Sequence, residues 1–467
     1  MRGRSVMALA AVLVIALFAI ATLRDLTRLG PAAPWNQLYD FADFYCAGEA
    51  LDRGFDPYRY EPLHGCEHAV NQSTAYRTDR ARTIPAPLPP YDFPPLMFLA
   101  RLSYASARIV DACAIVAAVA VAVVLLAMLE IPLDVAAAAL AFPAGYVLLA
   151  AGQVVPFALI ALVGCGVAFR RGRHVLAGVL AAATLIEPHL GLPVLIATLV
   201  WRPRSRIAAL VCAVGLLCVG VAIAGPAALV EYVARVLPAQ AAAERSYVYQ
   251  YSLTYLLATL GIPQMWALLL GDLSYAAMLA IGAWASGRVA TALRRPEMIA
   301  FVPAACGVIG GPYVHMVDLA VAVPAALVLA VALPARANVA ATIALALLAI
   351  PWIPAWITKK LFLAVLCIAT FLFWRLRVAT AIWVTAVATM ALGLYVLELS
   401  PPAALAGQTS GRFAASDLAQ SAWAAYVAQL GHPSPLWLVV KIPTWIALGI
   451  LLALFLRVGS APRKRPA

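Results

Sequence analysis

Long apolar runs separated by short polar breaks repeat along nearly the whole chain. The first covers about 6–24. The next lie at roughly 107–128, 133–150, 154–169, 174–188, 190–201 and 207–225. Further runs follow at 264–287, 298–312, 316–333, 338–355, 361–375, 378–397 and 436–456. Inside a bilayer every backbone N–H and C=O must find a partner within the segment, so such runs predict helices. The pattern predicts an all-α polytopic membrane protein with about 12–14 transmembrane helices. Several runs are shorter than the ~20 residues that cross a bilayer. Short spans with polar breaks, such as Gly152-Gln153 and Glu187-Pro188-His189, are tolerated where they face a wet cavity or other protein.

Composition sharpens this picture. The 467 residues are 64% hydrophobic and 12% charged, about half the charged fraction of a soluble domain. The formal net charge of +12 does not imply nucleic acid, because the basic residues sit in short clusters between apolar runs. Examples are Arg170/Arg171/Arg173, Arg202/Arg204/Arg206 and Arg463/Lys464/Arg465. Basic loops of this kind stay on the cytoplasmic side, with some attraction to anionic lipid. Counting from an inside N-terminus, both termini are expected in the cytoplasm of a bacterial inner membrane. The apolar run after Met1–Ser5 is long for a signal peptide and has no clear cleavage site, which favours an uncleaved anchor.

Five regions are expected. They are an anchor (1–24), an extracytoplasmic loop subdomain with amphipathic helices (25–106), a multi-span core (107–397), a further extracytoplasmic loop (398–434) and a last span with a basic tail (435–467). Residues 226–250 read as another outside loop, and 251–262 as a segment too short to span. The 25–106 loop holds Trp35, Phe41, Phe44, Tyr45, Tyr58, Tyr60 and Phe93, which need a surface to bury against.

Candidate chemistry gathers in that loop. From Tyr39 to Leu51 the spacing of Phe41, Phe44, Tyr45, Gly48 and Leu51 predicts an amphipathic helix lying on the outer membrane surface. Asp40 and Asp43 sit on its flank. A carboxylate at the border of the apolar face is partly desolvated and so suited to accept a proton. The plainer reading, that Asp40 only caps the helix, fits the same residues. Gly54-Phe-Asp56-Pro-Tyr58 reads as a turn, and Pro89–Pro95 as a rigid extended segment. His64-Gly65-Cys66-Glu67-His68 lacks a further separated ligand, and Gly65 disfavours a helix, so no metal is expected. A Cys46–Cys66 disulfide is favoured instead, because the loop is extracytoplasmic. It would add ~3 kcal/mol in the chain-entropy account. Polar insertions at Gln153, Glu187, His189, Arg245, Gln250, His315 and Asp318 all map to the same side as this loop. Ionisable groups at membrane depth are costly and point to function, although in the headgroup layer they would cost little. A carboxylate base facing cationic or hydrogen-bonding groups suits transfer from a phosphate-linked lipid donor. A transporter or flippase for lipid-linked glycans is the alternative. The absence of inverted sequence repeats weakens it.

Several short motifs, taken in order, resemble glycosyltransferase family 87, whose members are GT-C-type transferases that use polyprenyl-phosphate sugars. They are Asp40-Phe-Ala-Asp43-Phe-Tyr45-Cys-Ala-Gly48 with Gly54-Phe-Asp56-Pro-Tyr58, Phe93-Pro-Pro95, Gly152-Gln153, Gly178–Thr184 before Glu187-Pro188, Gln250-Tyr-Ser252-Leu253 and Pro312-Tyr-Val-His315-Met-Val-Asp318. The resemblance covers about 40–330. It implies a GT-C fold and inverting transfer of one sugar, mannose by default, to a glycolipid or glycan. Asp40 would be the general base and Asp43 a sugar-binding or supporting acid. Tyr45, Gln153, Gln250 and Asp318 would belong to the substrate site, and His315, His189 and Arg245 would lie near the donor phosphate. It implies no cofactor beyond the polyprenyl-phosphate co-substrate and no metal. Relatives often carry Lys where this chain has Glu187, which puts phosphate binding at that point in question.

Overall fold

The computed structural model describes residues 33–71, 83–357, 361–399, 413–414, 416–429 and 434–461. The expected first span, 6–24, lies outside them. Among the described residues the chain is all-α, with no strands. Isolated bridges occur at Arg59–Leu418 and Gln250–His315. Six helices are long and apolar enough to cross a membrane: Tyr104–Ala127, Leu133–Ala151, Pro203–Glu244, Gln264–Leu293, Thr380–Leu397 and Leu436–Ser460. Seven shorter apolar helices join them: Val155–Arg170, His174–Ile186, Pro188–Trp201, Met298–Gly310, Asp318–Ala332, Ala337–Ala349 and Phe362–Arg375. The chain is thus an all-α polytopic membrane protein, and apart from Pro203–Glu244 hydropathy alone placed these helices to within about six residues.

The largest departure from expectation follows residue 225. The stretch 226–250 was expected to be a loop, yet the helix continues to Glu244. Gly225 takes φ 81° and ψ 162°, and Pro226 follows it. Glycine adopts the left-handed region without a Cβ clash, and proline fits the first turn of a helix because its missing N–H leaves nothing unsatisfied there. The result is a kink. The part beyond it carries Tyr232, Gln240 and Glu244, all buried, into the body of the protein.

The first loop forms its own small core. Helices Phe41–Asp52, Tyr60–Asn71 and Phe93–Ala100 pack there with Tyr58, Leu88 and Tyr232. Phe41–Asp52 is not the half-exposed surface helix expected, because Phe41 through Gly48 are all buried in protein. Gly48 explains how closely it packs. A Cβ there would stand 2.5 Å from the Leu96 carbonyl carbon. Gly65 does not break its segment, which is helical from Tyr60 to Asn71. The prolines of 89–95 start helices rather than an extended run: a 3-10 turn spans Pro90–Asp92, and Phe93–Ala100 follows with proline in its first turn. Trp35, expected to be buried, is 58% exposed. Cys46 and Cys66 are joined in a disulfide with Cα atoms 5.6 Å apart, tying the first two helices together.

The 398–434 region contributes the helix Ala419–Gln429. It docks on the first loop through backbone bonds from Tyr60 N–H to the Asp417 carbonyl (2.9 Å) and from Ala419 N–H to the Tyr58 carbonyl (2.9 Å).

Candidate active site

Asp40 occupies the N-cap position of Phe41–Asp52 but does not cap it. Its φ and ψ are −94° and −8°, and its side chain makes no cap hydrogen bond. An N-cap normally needs extended backbone to fold its side chain back onto the first free N–H groups. The helical backbone of Asp40 turns the carboxylate elsewhere. Oδ2 accepts a hydrogen bond from Gln153 Nε2 at 2.6 Å. The backbone is pinned on the same side, with Tyr39 N–H donating to the Ala150 carbonyl (3.0 Å) and Asp40 N–H to the Ala151 carbonyl (2.7 Å). Gly152 permits this contact. It sits at φ +70°, and a Cβ there would lie 2.9 Å from Phe41 Cβ. Asp40 remains half-buried, open enough to meet a substrate.

Glu244 lies near Asp40. Both Asp40 and His315 lie within electrostatic range of it. Its buried carboxylate is heavily bonded: Trp423 Nε1 donates at 2.6 Å, Gln250 Nε2 at 2.8 Å and Gln240 Nε2 at 3.2 Å. One acid therefore ties together the helix Leu237–Glu244, the segment after it and the helix Ala419–Gln429. Gln250 also pairs through its backbone with His315. The His315 ring stacks on Tyr247 at 5.9 Å.

A second group lies at the start of Pro188–Trp201. His189 sits between two acids, with Nδ1 3.6 Å from Glu187 Oε2 and Nε2 3.4 Å from Asp318 Oδ2. Asp318 Oδ2 also accepts from the His315 N–H at 2.7 Å, which joins the two groups. Tyr313 packs on the His189 ring at 5.0 Å. Tyr91 donates its hydroxyl to the Leu185 carbonyl at 2.8 Å, bringing the Pro90–Asp92 turn alongside. Burial pushes the neighbouring Asp92 carboxyl well above the usual aspartate range, and the Glu187 charge adds to it.

The remaining expected residues are placed as follows. Asp43 is buried in the first turn of its helix. Tyr45 spends its hydroxyl on the carbonyls of Leu102 (2.9 Å) and Ala100 (3.3 Å). Arg245 Nη1 bonds the Ala242 carbonyl of its own helix at 2.9 Å. Near the disulfide, His64 Nδ1 shares a hydrogen bond with Thr83 Oγ1 at 2.8 Å.

The structure thus brings Asp40, Gln153, Gln250, His315, Asp318, His189 and Glu187 into one connected region. Glu244, Trp423 and Asp92 belong to it as well and were not anticipated. Glu244 was hidden inside a stretch read as loop. Trp423, three residues before Tyr426, lay in a region with no recognisable motif.

Residues 89–312 match the model of glycosyltransferase family 87. Over that stretch, just under half of its length, the chain is similar to family 87 glycosyltransferases. The matched segment holds Asp92, Gln153, Glu187, His189, Glu244, Arg245 and Gln250. It is narrower than the 40–330 suggested by the motifs, and leaves Asp40, His315 and Asp318 outside it. Comparison with curated proteins and with solved structures returns no match. The matched segment therefore contributes part of this region, and the flanking parts of the chain contribute Asp40, His315 and Asp318.

Proposed function

We propose that the protein transfers a single mannose-like sugar from a polyprenyl-phosphate donor to a glycolipid or glycan on the extracytoplasmic face of a bacterial inner membrane, with inversion. The glycosyltransferase class rests on the family match. The observation that carries the mechanism is the Asp40 carboxylate, which leaves its own helix uncapped and takes a hydrogen bond from Gln153 instead.

In this reading an Asp40 oxygen takes the proton of the acceptor hydroxyl. The hydroxyl oxygen forms a bond to the anomeric carbon from one side. The bond from that carbon to the phosphate oxygen breaks on the other, and the polyprenyl phosphate leaves with the electron pair. General base catalysis of this kind contributes ~10²–10⁴-fold. The bonded Glu244 holds Gln250 and, through the Gln250–His315 pairing, the backbone of His315. Asp43 supports the first turn of the Asp40 helix, and the bilayer carries the donor's tail. No metal or cofactor enters the reaction as proposed.

The test is transfer itself. Membranes containing the wild-type protein, given a polyprenyl-phosphate sugar labelled in the sugar, should move label into lipid or glycan with the anomeric configuration reversed. Label that crosses the membrane of sealed vesicles still attached to its carrier, with no transfer, would favour a flippase and overturn the reading.

A further inference from the structure

A phosphate-bearing donor needs a cation, and two of the basic residues first expected near it, His189 and Arg245, are engaged. His189 is held between Glu187 and Asp318. Arg245 bonds a carbonyl of its own helix. Glu187 brings the wrong charge.

Lys441 is different. Among the described residues it is the one lysine or arginine that is buried, at 0% exposure. Its Nζ makes no hydrogen bond there. It rests 3.2 Å above the centre of the Tyr255 ring and 5.5 Å from that of Tyr251. A cation–π contact only partly offsets the desolvation of an ammonium group, so a buried, acid-free lysine calls for a further partner. Lys441 is also the N-cap residue of the helix Ile442–Ser460. The free N–H groups at such an end add positive potential beside the ammonium, and both favour an anion.

The position connects to the candidate site. Tyr251 N–H donates to the Val314 carbonyl at 2.7 Å, one residue from His315, and the Tyr251 carbonyl accepts from Trp445 Nε1 at 2.9 Å. The neighbouring residue, Gln250, is the one that pairs with His315. His315 Nδ1 is likewise buried without a hydrogen-bond partner.

We propose that Lys441 is the cation of a phosphate subsite at the junction of Tyr251, Tyr255 and the N-terminus of Ile442–Ser460. The Tyr255 ring holds the ammonium while the subsite is empty. The flexible four-carbon stem then lets it turn to the phosphate, as a point-charge ligand with three donors. The subsite rests on the donor reading above only for the identity of the anion.

Binding, measured without any transfer, tests it on the full chain in detergent. Farnesyl monophosphate, farnesol and inorganic phosphate are the probes. Lys441→Met should weaken farnesyl monophosphate binding by at least ~10-fold, the loss expected when one side of a buried charge pair is removed. It should leave farnesol unchanged, and Lys441→Arg should stay within about threefold of wild type. Competition by inorganic phosphate would show that the phosphate alone is recognised. Its failure beside a sensitive farnesyl monophosphate would show that phosphate is taken as a lipid head group; both outcomes support the subsite. Equal farnesyl monophosphate binding by wild type and Lys441→Met overturns it. Should Lys441→Met not fold, ¹³Cε-lysine labelling of the wild type reads the same point. Lys441, one of four lysines, must shift with farnesyl monophosphate and not with farnesol, and no shift contradicts the proposal. A protein that transfers no sugar yet shows the Lys441 effect keeps the subsite and discards the reaction.

Discussion

Gln153 donates to the Asp40 carboxylate at 2.6 Å across 113 residues of sequence, joining the end of a span to the start of the first loop helix. A hydrogen bond to a charged group contributes about 1.5–3 kcal/mol. Gln153→Ala should therefore lower kcat by about 10–100-fold if the bond sets the Asp40 geometry for the reaction. The unfolding midpoint should fall as well, because the bond closes only in the folded state. Steady-state transfer and a thermal melt on the same preparation check this, and an unchanged kcat would detach Gln153 from catalysis.

Gly152 makes that bond possible. Alanine there would sit in the left-handed region and press on Phe41 Cβ at 2.9 Å. Strain and overpacking together should cost about 1–3 kcal/mol. Gly152→Ala should lower both the melting temperature and the transfer rate. A variant with native stability would mean that the first loop can shift away from the 150–153 turn without cost.

Much of the architecture was legible in the chain. Runs of apolar residues placed the spans because hydrocarbon leaves helices few alternatives. The kink at Gly225-Pro226 was not recognised, since a Gly-Pro pair after an apolar run reads equally well as the end of a helix. Asp40 was visible as a candidate, but sequence could not separate a cap from a base. That distinction lay in the backbone angles of Asp40 and in the partner Gln153, far along the chain. Glu244 and Trp423 were invisible because their meaning comes from each other.

Trp423 Nε1 donates to Glu244 Oε1 at 2.6 Å in a buried setting. Phenylalanine would keep the packing and delete the donor, at about 1–3 kcal/mol for an acceptor left short of a partner. Trp423→Phe should speed hydrogen exchange in Ala419–Gln429 and weaken transfer. Unchanged exchange in that helix would show that the bond does not hold it to the site.

Asp92 predicts a pH effect. Its folded carboxyl is raised by burial and then by Glu187. The group thus favours the protonated native state. Its contribution is fully present below the unfolded value of about 3.9 and is lost as pH rises through the folded value. Asp92→Asn cannot ionise. It should match wild-type stability at low pH and exceed it increasingly towards neutral and alkaline pH, as read from melting temperatures in a pH series. A constant difference across the series would place the acid's cost elsewhere.

The central claim is that Asp40 takes the acceptor's proton. Asp40→Asn keeps the shape and an acceptor for Gln153 while removing the base. Transfer from a labelled polyprenyl-phosphate sugar, measured beside a melting curve, is the most direct test. The account predicts a fall of ~10²-fold or more in kcat with the fold retained. Equal transfer by wild type and Asp40→Asn would contradict it.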